Sequence, residues 1–351
     1  MDFILNGQAN GDVASVLLNN GMDTNLLRPF IGNDGRSYIN RIENGTLKAV
    51  PIQNTTATLR KDEWISIDTA ILKAAKPRLK LISDLRGRGL TYMVPNGMGT
   101  TVLQTETQSD ISAAEINMDA VSRTHQDRPQ VELTSLPLPI IHKDFSFTAR
   151  QLATSRTGGS PLDTTTAELA SRRVSELMEQ LAIGSLSTYQ FGGGTVYGLI
   201  NYNKVLTKTI TAPTDSSWTG ALFVTEVLAM RKQSTDVSYY GPWVLYVSPA
   251  WDQYLDADYS SAKGDNTLRE RVKKINGIQD VITLDYLTGN RICLMQTTTD
   301  VMRLVIGMEI TTVQWPSLGG LQQNFKVMGI VVPQPRADYN SATGIVSGNT
   351  A

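Results

Sequence analysis

The segment from Gly87 to about Gln130 constrains this chain more than any other. It reads GRGLTYMVPNGMGTTVLQTETQSDISAAEINMDAVSRTHQDRPQ, polar and rich in Thr, Gln and Ser, with short alternating runs such as Ile116, Met118 and Ala120. Structureless loops of that length are uncommon inside a compact domain. The alternation predicts a long, mostly two-stranded projection with little core of its own. Such a projection gains its buried area from a neighbour.

The rest of the chain can supply a core. Of 351 residues, 41% are hydrophobic and 19% charged, and the mean hydropathy is -0.16, as in ordinary globular proteins. Lysines and arginines number 32 against 33 acids, a net charge of -1, so no global field draws the chain to nucleic acid or an anionic membrane. The lone cysteine, Cys293, excludes an intrachain disulfide and a cysteine-cluster metal site and reads as a small core residue within RICLM. No secretory signal is expected from MDFILNGQANGD, which has an acid at Asp2 and no basic region, and no run is long enough for a membrane span. The expected setting is a reducing cytosol.

From Met1 to about Arg60 the chain alternates short apolar pieces with turn dipeptides and balanced charges, and reads as an arm that lies on something else. A helix is expected from Asp62, with Trp64, Ile67, Ile71 and Ala75 on one stripe and Pro77 at its end. Val131 to Ile141 reads as an edge strand with prolines at 137 and 139 and Leu136, Leu138 and Ile140 on one face. Ser160 as cap, Pro161 at the first position and Asp163 in the first turn open a long helix. Its stripe is Ala170, Val174, Leu177, Met178 and Leu181, and Gly184 stops it. Beyond the Gly-rich turn FGGGTVYGLIN the pattern becomes α/β. Helices are expected at 220–233, 249–256 and 267–275, and strands at 242–248, near Val281, and at 291–296, 301–306 and 325–332. The last strand is apolar enough to be central in a sheet, and the polar tail 333–351 is expected to fray at its end.

Catalytic groups are sparse. His125 and His142 are too few for a histidine-based triad or a multi-histidine metal site. Gly192, Gly193 and Gly194 lack the Gly-Lys-Ser/Thr of a phosphate loop and read as a tight turn or hinge. Glu176 and Glu179 have acid and base spacing on the long helix, but nothing converges on them, and a solvated or interface face is the expectation. The basic run RERVKK, with Arg269, Arg271, Lys273 and Lys274, is a candidate for a weak phosphate contact.

One stretch resembles a known family. IIHKDFSFTARQLATSRTGGSPLDTTTAELASRRVSELMEQLAIG is similar to the segment that enters and forms the spine helix of encapsulins and related tailed-phage major capsid proteins. The family order is an apolar strand, a Phe-x-Phe-like pair, an Arg, a short loop, an Asp and an Ala-rich helix ending in Gly. Here those are Phe145, Phe147, Arg150, Asp163, Ala167, Ala170 and Gly184. YGLIN, Tyr197 to Asn201, resembles the turn after that helix, and PRADYNSATGIV resembles the end of such shell proteins. The likeness in order runs from about Asp62 to Val346.

The resemblance implies an α+β chain with the Hong Kong ninety-seven-like capsid fold. Its divisions would be an N-terminal arm (1–61), a helix of the peripheral domain (62–86), an extended two-stranded loop (87–130), the peripheral domain (131–219) with a spine helix at 161–184, an axial domain (220–300), and returning strands with a tail (301–351). It implies a structural protein, not an enzyme, with no cofactor and no metal. Copies would form hexamers and pentamers of an icosahedral shell around double-stranded DNA, with a separate scaffolding protein, a portal and a decoration or cement protein as further partners, no membrane, and assembly into virions in the host cytoplasm. The extended loop would overlie a neighbour's peripheral domain, which makes Arg86, Arg88, Arg123, Asp127 and Arg128 candidates for cross-subunit ion pairs. Some members of the fold lock their shells through a lysine on this loop; no lysine occurs between Lys80 and Lys143, so a non-covalent shell is expected. The alternatives are an encapsulin-type nanocompartment around cargo enzymes, which the added length of the arm disfavours, and a soluble α/β enzyme using carboxylates of the later lobe.

Overall fold

The computed structural model describes residues 28–43, 46–51, 59–75, 79–114, 116, 118, 128–158, 164–258 and 266–350. Its first half comprises β1 (Phe30–Ile31), β2 (Ser37–Glu43), β3 (Thr46–Pro51), α1 (Lys61–Ala75), α2 (Lys80–Gly87), β4 (Thr91–Met93), β5 (Val102–Gln108), β6 (Val131–Pro137), β7 (Ile141–Thr148), α3 (Ala149–Gly158) and α4 (Thr165–Ile183). The second half comprises β8 (Tyr189–Phe191), β9 (Gly194–Val196), β10 (Leu206–Ile210), α5 (Gly220–Asp236), β11 (Trp243–Val247), α6 (Asp252–Leu255), α7 (Leu268–Lys273), β12 (Ile278–Thr283), β13 (Ile292–Gln296), β14 (Met302–Ser317), β15 (Gln322–Pro335) and β16 (Ile345–Thr350).

Two sheets organise the chain. The first has the order β4-β14-β15-β7, so the apolar strand β15 is central, as its composition requires. On the inner face of β7, Phe145 and Phe147 lie two residues apart and both pack on Phe325 of β15, at ring-centroid distances of 5.1 and 5.6 Å. Trp64 of α1 meets the same ring edge-on at 5.9 Å. The Phe-x-Phe pair is thus a period-two strand feature that seats α1 on the sheet. On α1, Trp64, Ile67, Ile71 and Ala75 are all buried. Ser171 of α4 donates its hydroxyl to the Ile71 carbonyl at 3.0 Å and ties the two helices.

The second sheet has the order β10-β16-β13-β11-β12, and both of its faces are covered. Val244, Tyr246, Cys293, Met295 and Ile345 point into the core they share with the first sheet. Trp243, Leu245, Val247, Ile292, Leu294 and Val346 point the other way, into a separate core with Phe223, Trp251 and Val272 from the helices. Two-sided burial is why β11 and β13 read as unbroken apolar runs.

Several expectations need correction. The tail does not fray: β16 lies between β10 and β13, and a side chain at Gly348 would put its Cβ 2.6 Å from Ile292. The lobe expected at 220–300 therefore also takes strands from 206–210 and 345–350. The projection expected at 87–130 is displaced: Leu90 and Val94 are buried, β4 joins the first sheet, and the ribbon proper is β5 paired with β6. Between Arg150 and Asp163, where the resembled family has a short loop, residues 151–158 belong to α3. The run from Val131 breaks at 138–140, around Pro139, and Ile140 is exposed there. The long helix begins at Thr165; Ser160, Pro161 and Asp163 lie outside the described residues. Gly184 closes that helix in the left-handed conformation, at φ 85°, which a glycine adopts without strain.

Candidate assembly surface

The ribbon is the least self-sufficient part of the described chain. β5 and β6 pair antiparallel from Val102–Pro137 to Gln108–Val131. Their alternation sorts the residues onto two faces. Leu103, Thr105 and Thr107 are half-buried on the side toward the body, where the Gln334 side-chain amide donates to Thr105 at 3.3 Å. Tyr339 donates its hydroxyl to Gln130 at 2.8 Å. The β8–β9 hairpin braces the ribbon's base: Gly192 and Gly193 turn at φ 56° and 75°, and a Cβ on Gly194 would sit 2.3 Å from the Ser135 carbonyl oxygen. The Gly-rich run is thus a tight turn pressed against the ribbon.

The outer face has no such cover among the described residues. Gln104, Glu106 and Gln108 are exposed there beside Val131 and Leu133, which are 53% and 61% exposed. Beyond the paired strands, Ile111, Ile116 and Met118 are also exposed. A second bare apolar surface is a groove of about 400 Å³ lined by Pro139, Ile140, Leu177, Leu181, Leu186 and Tyr189. Leu177, expected in the buried stripe of the long helix, stands on its shoulder and forms a wall of this groove. The third is the tip of the β14–β15 hairpin, where Leu318 and Leu321 are 72% and 70% exposed. Exposed apolar patches of this kind mark interaction sites.

The ion-pair candidates separate cleanly. Arg86 was expected to reach a neighbour; instead it is buried and holds Glu309 of β14 through two bonds of 2.6 and 2.8 Å. Such a pair is legible only in the fold, because 223 residues separate its members. Arg88 is likewise engaged within the chain, with Asp84 at 2.9 and 3.0 Å and with Gln279. Arg128 is exposed at the ribbon, whereas Arg123 and Asp127 lie outside the described residues. In the basic run, Arg269 binds Asp256 and Asp252 at 2.7 Å each, Lys273 binds Asp280 at 2.6 Å, and Lys274 donates to Asn266. Of that run, Arg271 has neither an ion pair nor a side-chain hydrogen bond among the described residues. The cluster is far less cationic than its sequence.

The junction between the two sheets is polar and built on α2. Tyr246 of β11 donates its hydroxyl to Asp84 at 2.6 Å, the same carboxylate that holds Arg88, and Lys80 reaches Asp285 at 2.7 Å. Glu179 of α4, expected on a solvated or interface face, is buried and accepts the Leu81 and Ile82 amides at 2.5 and 3.3 Å. It caps the first turn of α2. Burial pushes its carboxyl up to about 7, against the lowering effect of those amides. Glu176 pairs with Arg173 at 3.0 Å instead. Burial also pushes the Cys293 thiol up, which leaves it unreactive. His142 is exposed beside Asp144, and His125 lies outside the described residues. Among the described residues no three His, Cys, Asp or Glu side chains cluster as a metal site would require, and no helix is long and apolar enough to cross a membrane.

This arrangement of elements is an α+β fold of the Hong Kong ninety-seven-like capsid type. The virus-like particle from Pyrococcus furiosus shares it with a TM-score of 0.57 at 14% identity, over 81% of this chain and 98% of that one. The capsid of Myoviridae phage XM1 also gives 0.57 at 11% identity, over 76% and 90% of the two chains. The capsid of the empty GTA particle gives 0.53 at 13% identity, over 75% and 89%. No curated protein matches the chain. Residues 54–348 match the model of a family of unknown function, DUF6260, and the chain belongs to that family.

Proposed function

We propose that this chain is a major capsid protein. Many copies tile an icosahedral shell around double-stranded DNA, held by non-covalent contacts between subunits in hexamers and pentamers, and the product is a virion assembled in the host cytoplasm. The observation that carries the reading is the combination of a capsid-type fold with a ribbon whose outer face has no cover among the described residues. In this reading residues 1–61 are the arm, the four-stranded sheet with α4 is the peripheral domain, the five-stranded lobe is the axial domain, and the ribbon lies over a neighbour. Of the sequence candidates, Arg128 serves the contact between subunits, and Arg271 is the remaining candidate for weak contact with the packaged DNA. Near-neutral charge suits a wall that contains DNA without gripping it. A separate scaffolding protein, a portal and a decoration or cement protein complete the partners.

A second reading, a cargo-filled cellular compartment, is favoured by the likeness to the Pyrococcus furiosus particle, almost all of whose chain is matched. Purification of the expressed chain separates the readings. Megadalton particles are expected, and their contents, DNA or protein, choose between virion and compartment. A monomer or small oligomer with enzymatic turnover would overturn both. Denaturing electrophoresis of the particles is expected to give one band at monomer mass, and a ladder of multimers would refute the non-covalent lock.

A further inference from the structure

Among the described residues most buried or half-buried arginines are held by acids, and Arg231, Arg271, Arg303 and Arg336 are not. Arg28 is held by Asp68, Arg86 by Glu309, Arg88 by Asp84, Arg156 by Glu63 and Arg269 by Asp252 and Asp256. Arg303, near the start of β14, has no carboxylate within ion-pair distance among the described residues. Its Nε donates to the Gln334 side chain at 2.6 Å, and its guanidinium lies over the Tyr92 ring at 4.3 Å.

Arg336 repeats the anomaly beside it. In the hairpin register Arg303 lies opposite Gln334, and Arg336 follows just past the end of β15, its amide bonded to the Val301 carbonyl at 2.8 Å and its charge within reach of Arg303. Arg336 donates to the Thr299 carbonyl at 3.3 Å and pairs with no acid among the described residues. Asp338, the acid nearest in sequence, has its Oδ1 on the Ala342 amide at 2.7 Å. Burial first, and the charge of Arg336 second, hold the Arg303 guanidinium below its ordinary value. Two like charges side by side, one of them stacked on an aromatic ring, raise the energy of the isolated subunit. An oxyanion placed between them removes that cost, and arginine's fork of donors suits a carboxylate.

We infer that Arg303 and Arg336 form a cradle for a carboxylate carried by a second copy of this chain. The inference rests on the shell reading and names one contact of that shell. Charge complementarity favours a second copy: the ribbon presents Glu106, Asp110 and Glu132 exposed, none with an ion pair among the described residues. Position disfavours a DNA backbone. Arg303 is half-buried, closed on one side by Tyr92 and on another by Gln334, so a single side chain can enter where a duplex lying across the surface cannot.

The test compares particle yield from the full chain with that of the double variant Arg303→Gln, Arg336→Gln, by light scattering of matched preparations, with circular dichroism and thermal melting of the dissociated subunits as the folding control. The expected result is at least a tenfold loss of particles from subunits that melt within a few degrees of wild type, and partial recovery with Arg303→Lys, Arg336→Lys. Wild-type yield from the glutamine variant overturns the cradle while the shell reading stands. Normal particles that have lost their nucleic acid overturn it in favour of a phosphate partner. Failure of the wild-type chain to form particles overturns the shell reading and the inference with it. Should the glutamine variant melt much lower, the decision passes to the lysine variant, whose salt-sensitive assembly supports the cradle and whose wild-type salt response refutes it.

Discussion

The five-stranded lobe and the β5–β6 ribbon are both built from β-strands, yet they divide the work of the molecule. In the lobe every residue of β11 and β13 is buried, and the apolar ones lie alternately in one core and in the other. In the ribbon one face leans on Gln334 and Tyr339 and the other carries Val131 and Leu133 bare to solvent. Stability resides where a strand finds cover on both faces within its own chain. Among the described residues the ribbon lacks that cover, and in the proposed shell a second copy supplies it.

If that division is right, the same kind of substitution has opposite consequences in the two regions. The largest effect on the lone subunit is expected from Arg86→Ala, which leaves Glu309 buried without its cation and costs about 3–5 kcal/mol in denaturant unfolding. Leu245→Ala, in the lobe's separate core, is expected to cost about 2–5 kcal/mol by cavity formation. A loss under about 1 kcal/mol would mean that this core is loosely packed and the contrast overstated.

Glu179 sharpens the comparison through pH. Its folded value of about 7 lies above its ordinary 4.5, so the folded state holds the proton more tightly. Its contribution is fully present below pH 4.5 and is lost as pH rises through about 7, a change of roughly 3 kcal/mol. The Asp285 charge raises that value further, and the Lys80 amide joins those of Leu81 and Ile82 in lowering it. Glu179→Gln is expected to flatten the decline between pH 5 and 7, and an unchanged slope would assign it to another group. Tyr246→Phe, which removes one hydroxyl bond at the junction, is expected to cost about 1 kcal/mol.

The smallest effect on the subunit belongs to the ribbon. Val131→Ser with Leu133→Ser is expected to change unfolding by less than about 0.5 kcal/mol, because neither side chain is buried.

What the sequence revealed follows the same line. The α1 stripe, Gly184 and the central strand β15 were readable because their signals are local and periodic. β16 was not, since Ser347, Gly348 and Asn349 look like a tail and become a strand only because β10 and β13 bond to both of its edges. The Arg86–Glu309 pair and the lack of an acid partner at Arg303 and Arg336 among the described residues are equally invisible in the sequence, because each depends on residues brought together from distant parts of the chain. The ribbon was foreseen in kind and misplaced at its start, because Leu90 and Val94 sit in a polar stretch and yet belong to the core.

The most direct test is the particle mass of the Val131→Ser, Leu133→Ser chain beside wild type, measured by light scattering at equal concentration. The account requires megadalton particles from the wild type and folded, subunit-sized material from the variant. Particles formed equally well by both chains, or by neither, would contradict it.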